Sequence, residues 1–302
     1  MPFKSCLETE TGVKADSSGK WQLKNVIYNQ MTIQVSATNY ESKILIVEGN
    51  IQEDNQKLLD YGIETHSESL KKTISNYTKE LEIDVFNPSS EKLDNKINEL
   101  EKYDGLIWGG GSMHVYDDKP EIKKQIEFMK KCFEKIEKIF AICWGMQVAV
   151  TAAGGDVKRA TNGTNIGISN NIELTDQGIS HPLYKDKPKK FNTPAYNYDE
   201  VVTLPKDTKH LAFNSINNIQ GINFKVNNCD IWGIQYHPEI TYEKMISLIN
   251  YRRDHLLSNK EIFNNEEDLD AHIENINETN NQTKKEIRMK EVENWLNFSS
   301  LI

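Results

Sequence analysis

A cysteine held between an apolar strand and a glycine-containing helix start is the first feature of this chain that can do chemistry. It lies in Ile139-Phe-Ala-Ile-Cys-Trp-Gly-Met-Gln-Val-Ala-Val150. A sharp strand-to-helix turn of this kind lifts a nucleophile above a sheet and points it at a substrate. Ala141 and Gly145 leave room for the tight turn. A helix N-terminus favours negative charge, and the thiolate rather than the thiol is the reactive species. Cys143 is therefore the candidate nucleophile. Cys6, Cys132 and Cys229 lack this setting and read as space-filling or surface thiols.

A cysteine hydrolase also needs an imidazole that holds the thiolate and later protonates the leaving group. Ile231-Trp-Gly-Ile-Gln-Tyr-His-Pro-Glu-Ile240 ends a strand at His237. Pro238 breaks the regular backbone. Glu239, just beyond it, can take the other ring nitrogen, fix the tautomer and stabilise the imidazolium. His66, His114, His181, His210, His255 and His272 have no such context and read as satisfied surface or core histidines.

Trp108-Gly-Gly-Gly-Ser-Met-His114 follows another strand-like run. Ligands bind at the carboxyl ends of parallel strands, where this loop falls. The backbone N–H of Gly110, with that of Trp144, would meet a developing oxyanion. Taken alone, three glycines also suit a flexible turn. A phosphate cradle is a further option, but the Gly-Lys-Ser/Thr ending of a P-loop is absent. The Trp144 side chain is expected either to wall the substrate pocket or to pack inward.

These groups need a frame. Lys43–Glu48, Glu82–Phe86, Asp104–Trp108 and Ile139–Cys143 read as short buried strands, alternating with helix-compatible segments. Pro120 opens the strongest helix, with Ile122, Ile126, Met129, Phe133 and Ile136 on one face. Strands alternating with helices imply a parallel sheet covered on both sides. After Gly154 the pattern turns to shorter strands, then a helix from Tyr242 towards Leu257. The acidic, asparagine-rich stretch 259–283 reads as a surface helix pair or a mobile insertion, and 284–296 as a helix that docks through Ile287, Val292 and Trp295. Residues 1–41 read as an extension. Trp21–Tyr28 and Met31–Thr38 form a candidate β-hairpin in it that mediates self-association or caps a sheet edge. Residues 42–302 read as the catalytic domain, with a C-terminal helical segment over about 241–302.

Composition excludes several classes. The chain has 302 residues and a net charge of −9, with no basic stripe for nucleic acid. No apolar run has the length of a membrane span or the form of a signal peptide. A cytoplasmic protein acting on a small molecule is expected. Cysteine spacing offers no metal knuckle, and neither a metal nor a cofactor is called for.

Three motifs in order resemble the class I glutamine amidotransferases, with their Cys-His-Glu triad: Gly109-Gly-Gly111, Cys143-Trp-Gly-Met-Gln147 and Gly233-Ile-Gln-Tyr-His-Pro-Glu239. The similarity covers roughly 43–240 and is nearest to the free-standing branch like the amidotransferase domain of GMP synthase. It implies a flavodoxin-like three-layer α/β/α sandwich with a mostly parallel central sheet. It also implies hydrolysis of the glutamine side-chain amide through a γ-glutamyl thioester on Cys143. Gln147, Gly109 and Gly111 would bind substrate. The chain departs from the family pattern where Ala141 replaces a common Gly, Asn165 a common Glu and Asn197 a common His; the last two bear on substrate rather than on the triad.

Two reactions fit. One releases glutamate and ammonia from glutamine, with the ammonia passed to a separate synthase. The other is stand-alone hydrolysis or transfer of another γ-glutamyl compound. A non-catalytic protein on this fold would be expected to lose the triad residues, and all three are present.

Overall fold

The computed structural model describes residues 4–5, 13–14, 35–36 and 42–302, apart from 79, 259 and 261. The chain divides into two units, Met1–Ser42 and Lys43–Ile302. In the first, β1 (Lys4–Ser5) pairs antiparallel with β2 (Val13–Lys14) and β3 (Val35–Ser36). The Trp21–Tyr28 arm of the expected hairpin lies outside the described residues, as does all of the other arm except Val35 and Ser36.

The second unit is built on a nine-stranded sheet. Its parallel half comprises β4 (Lys43–Val47), β5 (Glu82–Phe86), β6 (Gly105–Trp108) and β7 (Lys138–Ile142). Between and after these strands run α1 (Gln52–Asp60), α2 (His66–Ile74), α3 (Leu93–Glu99), α4 (Pro120–Lys135) and α5 (Trp144–Ala152). β8 (Asp156–Arg159) and β9 (Asn165–Ile166) leave the sheet to pair with later strands. β10 (Ser169–Leu174) returns to it, with β11 (Lys190–Thr193) beside it. β12 (Tyr196–Asn197) pairs with β9, and β13 (Asp199–Thr203) with β8. β14 (Lys209–Phe213), β15 (Gly221–Val226) and β16 (Cys229–Ile234) complete the sheet in the order β11-β10-β14-β15-β16-β7-β6-β4-β5. β16 pairs parallel with β7, so the ends of these two strands lie side by side at the same sheet edge.

Strand alternation splits the core into two layers. Leu45, Val47, Trp108, Ile139 and Ala141 face α4 and α5, meeting Phe128, Met129 and Val148. Ile44, Ile46, Ile107, Phe140 and Ile142 face the other way, meeting Leu70 and Ile74 of α2. The same side takes Val292, Trp295 and Leu296 of the C-terminal helix. The result is the expected three-layer α/β/α sandwich. Antiparallel strands extend it beyond β16, where the sequence shows short strands without helices between them.

The region from 241 onward is helical: α7 (Tyr242–Tyr251), α8 (Arg253–Ser258), α9 (Glu266–Gln282), α10 (Lys285–Arg288) and α11 (Lys290–Phe298), with α6 (Asp176–Ser180) a single turn earlier in the chain. The expected continuous helix from Tyr242 to Leu257 breaks at Arg252, which caps α7. The acidic stretch becomes one long helix, α9, docked through Leu269 and Ile276 against Ile166, Ile168 and Ile249. Among the described residues no helix is long and apolar enough to cross a membrane.

Candidate active site

Cys143 sits at the junction of β7 and α5 with φ 52° and ψ −104°. This left-handed conformation is uncommon outside glycine and concentrates at functional turns. The turn is pinned on three sides. The Cys143 N–H donates to Ile234 O at 2.7 Å, the Gly145 N–H to Gly109 O at 3.2 Å, and the Gln147 N–H to Cys143 O at 3.1 Å. A Cβ at Gly145 would stand 2.4 Å from the Trp108 carbonyl oxygen, so only glycine lets α5 start this close to β6. Trp144 opens α5, where the first amides of a helix have no carbonyl partner within it. Its side chain turns inward, and its Nε1 donates to Gln125 Oε1 at 2.6 Å.

His237 follows β16 and is 2% exposed. Its N–H donates to Pro194 O at 2.8 Å, and its Nδ1 lies 2.7 Å from Glu239 Oε1. Burial lowers the His237 pKa. Glu239 and Cys143 outweigh that and hold it up at about 10. The imidazole is thus an imidazolium at neutral pH, facing the sulfur on one side and a carboxylate on the other. The turn is clamped from the C-terminal helices. Arg288 Nη1 donates to the carbonyls of Pro238 and Ile240, the latter at 2.7 Å. Tyr236 OH donates to Glu291 Oε1 at 2.7 Å, and Lys187 Nζ pairs with Glu291 Oε2 at 2.7 Å.

The glycine loop closes over this pair. Gly109 is committed to the frame: its N–H donates to Val47 O at 3.1 Å, and its carbonyl takes the Gly145 amide. Gly110 faces the histidines. A Cβ there would stand 2.7 Å from His66 Cε1 and 2.8 Å from His237 Cε1. Gly111 lines the cavity above Cys143. Gln147 lines the same cavity, and its Nε2 donates to Gln235 Oε1 at 3.3 Å.

Gln235 was missed by reading the sequence. Its Nε2 donates to Cys143 Sγ at 3.4 Å, giving the nucleophilic sulfur a hydrogen-bond donor. The available signal was strand alternation, which puts Gln235 on the same face as His237. Replacing Gln235 by Leu, which keeps the volume and removes the donor, is expected to slow iodoacetamide alkylation of Cys143 at neutral pH by about tenfold. An unchanged alkylation rate would dismiss this role.

Three of the histidines read as structural lie at the site. The His66 ring stacks on His237 with centroids 5.6 Å apart and planes 24° apart. Burial, then the charges of His237, Lys244 and Arg252, hold its pKa well below the usual value, so it is neutral. Glu48, at the end of β4, accepts the Ser67 N–H at 2.9 Å and so anchors the start of α2 that carries His66. His66, His237 and Glu239 place ligand-capable atoms within 4.8 Å of one another. The near-parallel rings keep their lone pairs in separate planes, which does not suit a shared ion. His114 Nδ1 meets Asp199 Oδ2 at 2.6 Å, and both line the cavity, as does His255. His181 and His210 bond backbone two residues along the chain, and His272 Nε2 meets the Ile166 carbonyl oxygen of β9 at 2.6 Å.

The cavity above Cys143 has a volume of about 560 Å³. Side chains of both charges surround it: Lys57, His114 and Arg252 with Asp54, Asp199 and Asp254. Asn165 and Asn197, the two departures from the family pattern, bond each other at 3.0 Å and share Asn217 Oδ1 at 2.6 Å and 3.0 Å. They are one buried amide network beside the cavity, not two independent changes.

Residues 58–250 match the family model for class-I glutamine amidotransferases. The chain belongs to the class-I glutamine amidotransferase family. Like other members, this amidotransferase-family protein is a cysteine-dependent amide hydrolase. It is 31% identical over 202 residues to a γ-glutamyl-L-1-hydroxyisopropylamide hydrolase of a Pseudomonas species, covering 66% of this chain and 68% of that one. It is 29% identical over 154 residues to γ-glutamyl peptidase 4 of Arabidopsis thaliana, covering 50% of this chain and 60% of the peptidase. The chain therefore spans about two thirds of the first relative and less of the second. Its fold is similar to the crystal structure of a glutamine amidotransferase from Thermotoga maritima, with a TM-score of 0.63 at 19% identity over 86% of this chain and 99% of the other.

Proposed function

We propose that this amidotransferase-family enzyme hydrolyses γ-glutamyl amides whose amine is larger than ammonia, through a thioester on Cys143. The observation that carries the reading is the cavity at Cys143, bordered by cations and carboxylates together. A γ-glutamyl group ends in an ammonium beside a carboxylate and needs both signs nearby. The similarity to a γ-glutamyl alkylamide hydrolase supports the larger amine.

In this reading the Cys143 thiolate attacks the γ-carbonyl carbon, and the oxyanion turns to the N–H groups of Gly110 and Trp144. His237 gives its proton to the departing nitrogen, the C–N bond breaks, and the γ-glutamyl thioester remains. His237, now neutral, takes a proton from water. The hydroxide oxygen attacks the thioester, and glutamate leaves as the thiolate re-forms. Glu239 holds the His237 tautomer throughout. Gln147 and Gly111 bound the acyl chain. Neutral His66 borders the path of the amine without adding a second positive charge.

A second reading uses the same steps on glutamine and passes ammonia to a separate synthase. The three motifs shared with the GMP synthase amidotransferase domain favour it. Glutamate release by the purified chain separates the two, measured with glutamine, L-γ-glutamyl-isopropylamide and L-γ-glutamylglycine. The larger amides are expected to exceed glutamine in kcat/KM by at least about tenfold. Faster turnover of glutamine would overturn the first reading in favour of the second.

A further inference from the structure

Arg252 is a cation without a carboxylate partner among the described residues. It caps α7, and its Nη2 donates to Ser112 Oγ at 3.0 Å, next to the glycine loop. Its guanidinium lies over the Tyr196 ring, 4.9 Å from the centroid. Among the described residues no carboxylate stands within ion-pair distance of it, whereas its neighbour Arg253 pairs with Asp270 at 2.6 Å. The Tyr196 on which it rests has its carbonyl oxygen 3.9 Å from Cys143 Sγ. Arg252 therefore stands half-buried in the cavity wall, one side chain away from the nucleophile.

A partly desolvated guanidinium gains most from a planar anion, because its fork matches the two oxygens of a carboxylate. Here Ser112 and Tyr196 already fix the plane, so little side-chain freedom is lost on binding. The direction of the cavity says which carboxylate arrives. It opens from Cys143 along Gln147 and Tyr196–Asp199, and His237 is not among its lining residues. The amine leaves towards His237, so the acyl part of the substrate fills the cavity.

We propose that Arg252 binds the α-carboxylate of the γ-glutamyl group and makes the enzyme selective for substrates in which that carboxylate is free. The inference rests on the γ-glutamyl reading of the site. Asp54, Asp199 and Asp254, on the same rim, supply the negative charge that the neighbouring ammonium needs.

The test compares wild type, Arg252→Gln and Arg252→Lys on L-γ-glutamyl-p-nitroanilide, its α-methyl ester and L-γ-glutamylglycine. Arg252→Gln is expected to raise KM for the free-acid anilide by about 10- to 100-fold with kcat nearly unchanged, the mark of lost uniform binding. Arg252→Lys should recover part of it. The ester should be as poor for wild type as for Arg252→Gln. An unchanged KM for the anilide, or an ester handled as well as the acid by wild type, overturns the proposal. A defect confined to γ-glutamylglycine also overturns it, because the arginine would then hold the carboxylate of the leaving amine. If no γ-glutamyl compound turns over, the hydrolase reading fails by itself. L-Glutamate binding to Cys143→Ala with and without Arg252→Gln, followed by calorimetry, still decides the role of the arginine: equal affinities overturn it.

Discussion

Replacing Cys143 by alanine is expected to leave a folded protein whose γ-glutamyl amide hydrolysis falls by at least about ten-thousandfold. Alanine meets the same left-handed backbone at this position as cysteine does, so the strain of the turn is not relieved or increased. No other thiol among the described residues can take over. Cys132 and Cys229 are fully buried in the core layer against α4, and burial pushes both thiols up, away from the reactive form. An electrophilic glutamine analogue should consequently add one label to the wild type, at Cys143, and none to the alanine variant, as read by intact mass. Turnover that persists in the variant would remove the thioester route altogether.

Glu239→Gln is expected to be the next most damaging change, with kcat/KM lower by about a hundred- to ten-thousandfold. Glutamine keeps the size and an acceptor for His237 Nδ1, so the loss isolates the charge. The sign of the pH effect follows from the causes of the His237 shift. Burial lowers the pKa; the Glu239 carboxylate and Cys143 raise it to about 10. In the wild type the imidazolium therefore survives through neutral pH, and kcat/KM should fall as pH rises through about 10. Without the Glu239 charge the His237 pKa drops, and the alkaline limb must move to lower pH. His66 does not replace the lost proton donor, because burial keeps it neutral. A full pH profile of kcat/KM for both proteins tests this. An alkaline limb that stays in place would mean that Glu239 does not support the imidazolium.

Some of the site was legible because it is local. Cys143 with Gly145 marks a strand-to-helix turn within one run of sequence. His237 and Glu239 belong to one rigid turn around Pro238, and three glycines after a strand announce a loop of close backbone approach. The alternation of apolar strands and amphipathic helices up to Cys143 is likewise a short-range pattern, and the parallel half of the sheet follows from it. The antiparallel half was less readable. Two-residue strands such as Asn165–Ile166 and Tyr196–Asn197 carry no periodicity, and their pairing depends on partners some thirty residues away. The acidic stretch became a docked helix because Leu269 and Ile276 find an apolar face on α7 and β9, which composition does not reveal.

The nucleophile returns the contrast most sharply. Short-range pattern was enough to place Cys143 at the end of a buried strand and the start of a helix, and a histidine with a carboxylate just beyond it at the end of another. What surrounds that sulfur was set by the packing of the layers. The parallel pairing of β16 with β7 brings Gln235 to Cys143. The placement of α2 stacks His66 on His237, and the break at the end of α7 sets Arg252 into the cavity wall. Arg288 reaches back from the C-terminal helices to hold the His-Pro-Glu turn. Each is a single polar residue, and an isolated polar residue has no pattern to announce it. Its role depends on through-space partners far away in the chain, which exist only once the layers have packed.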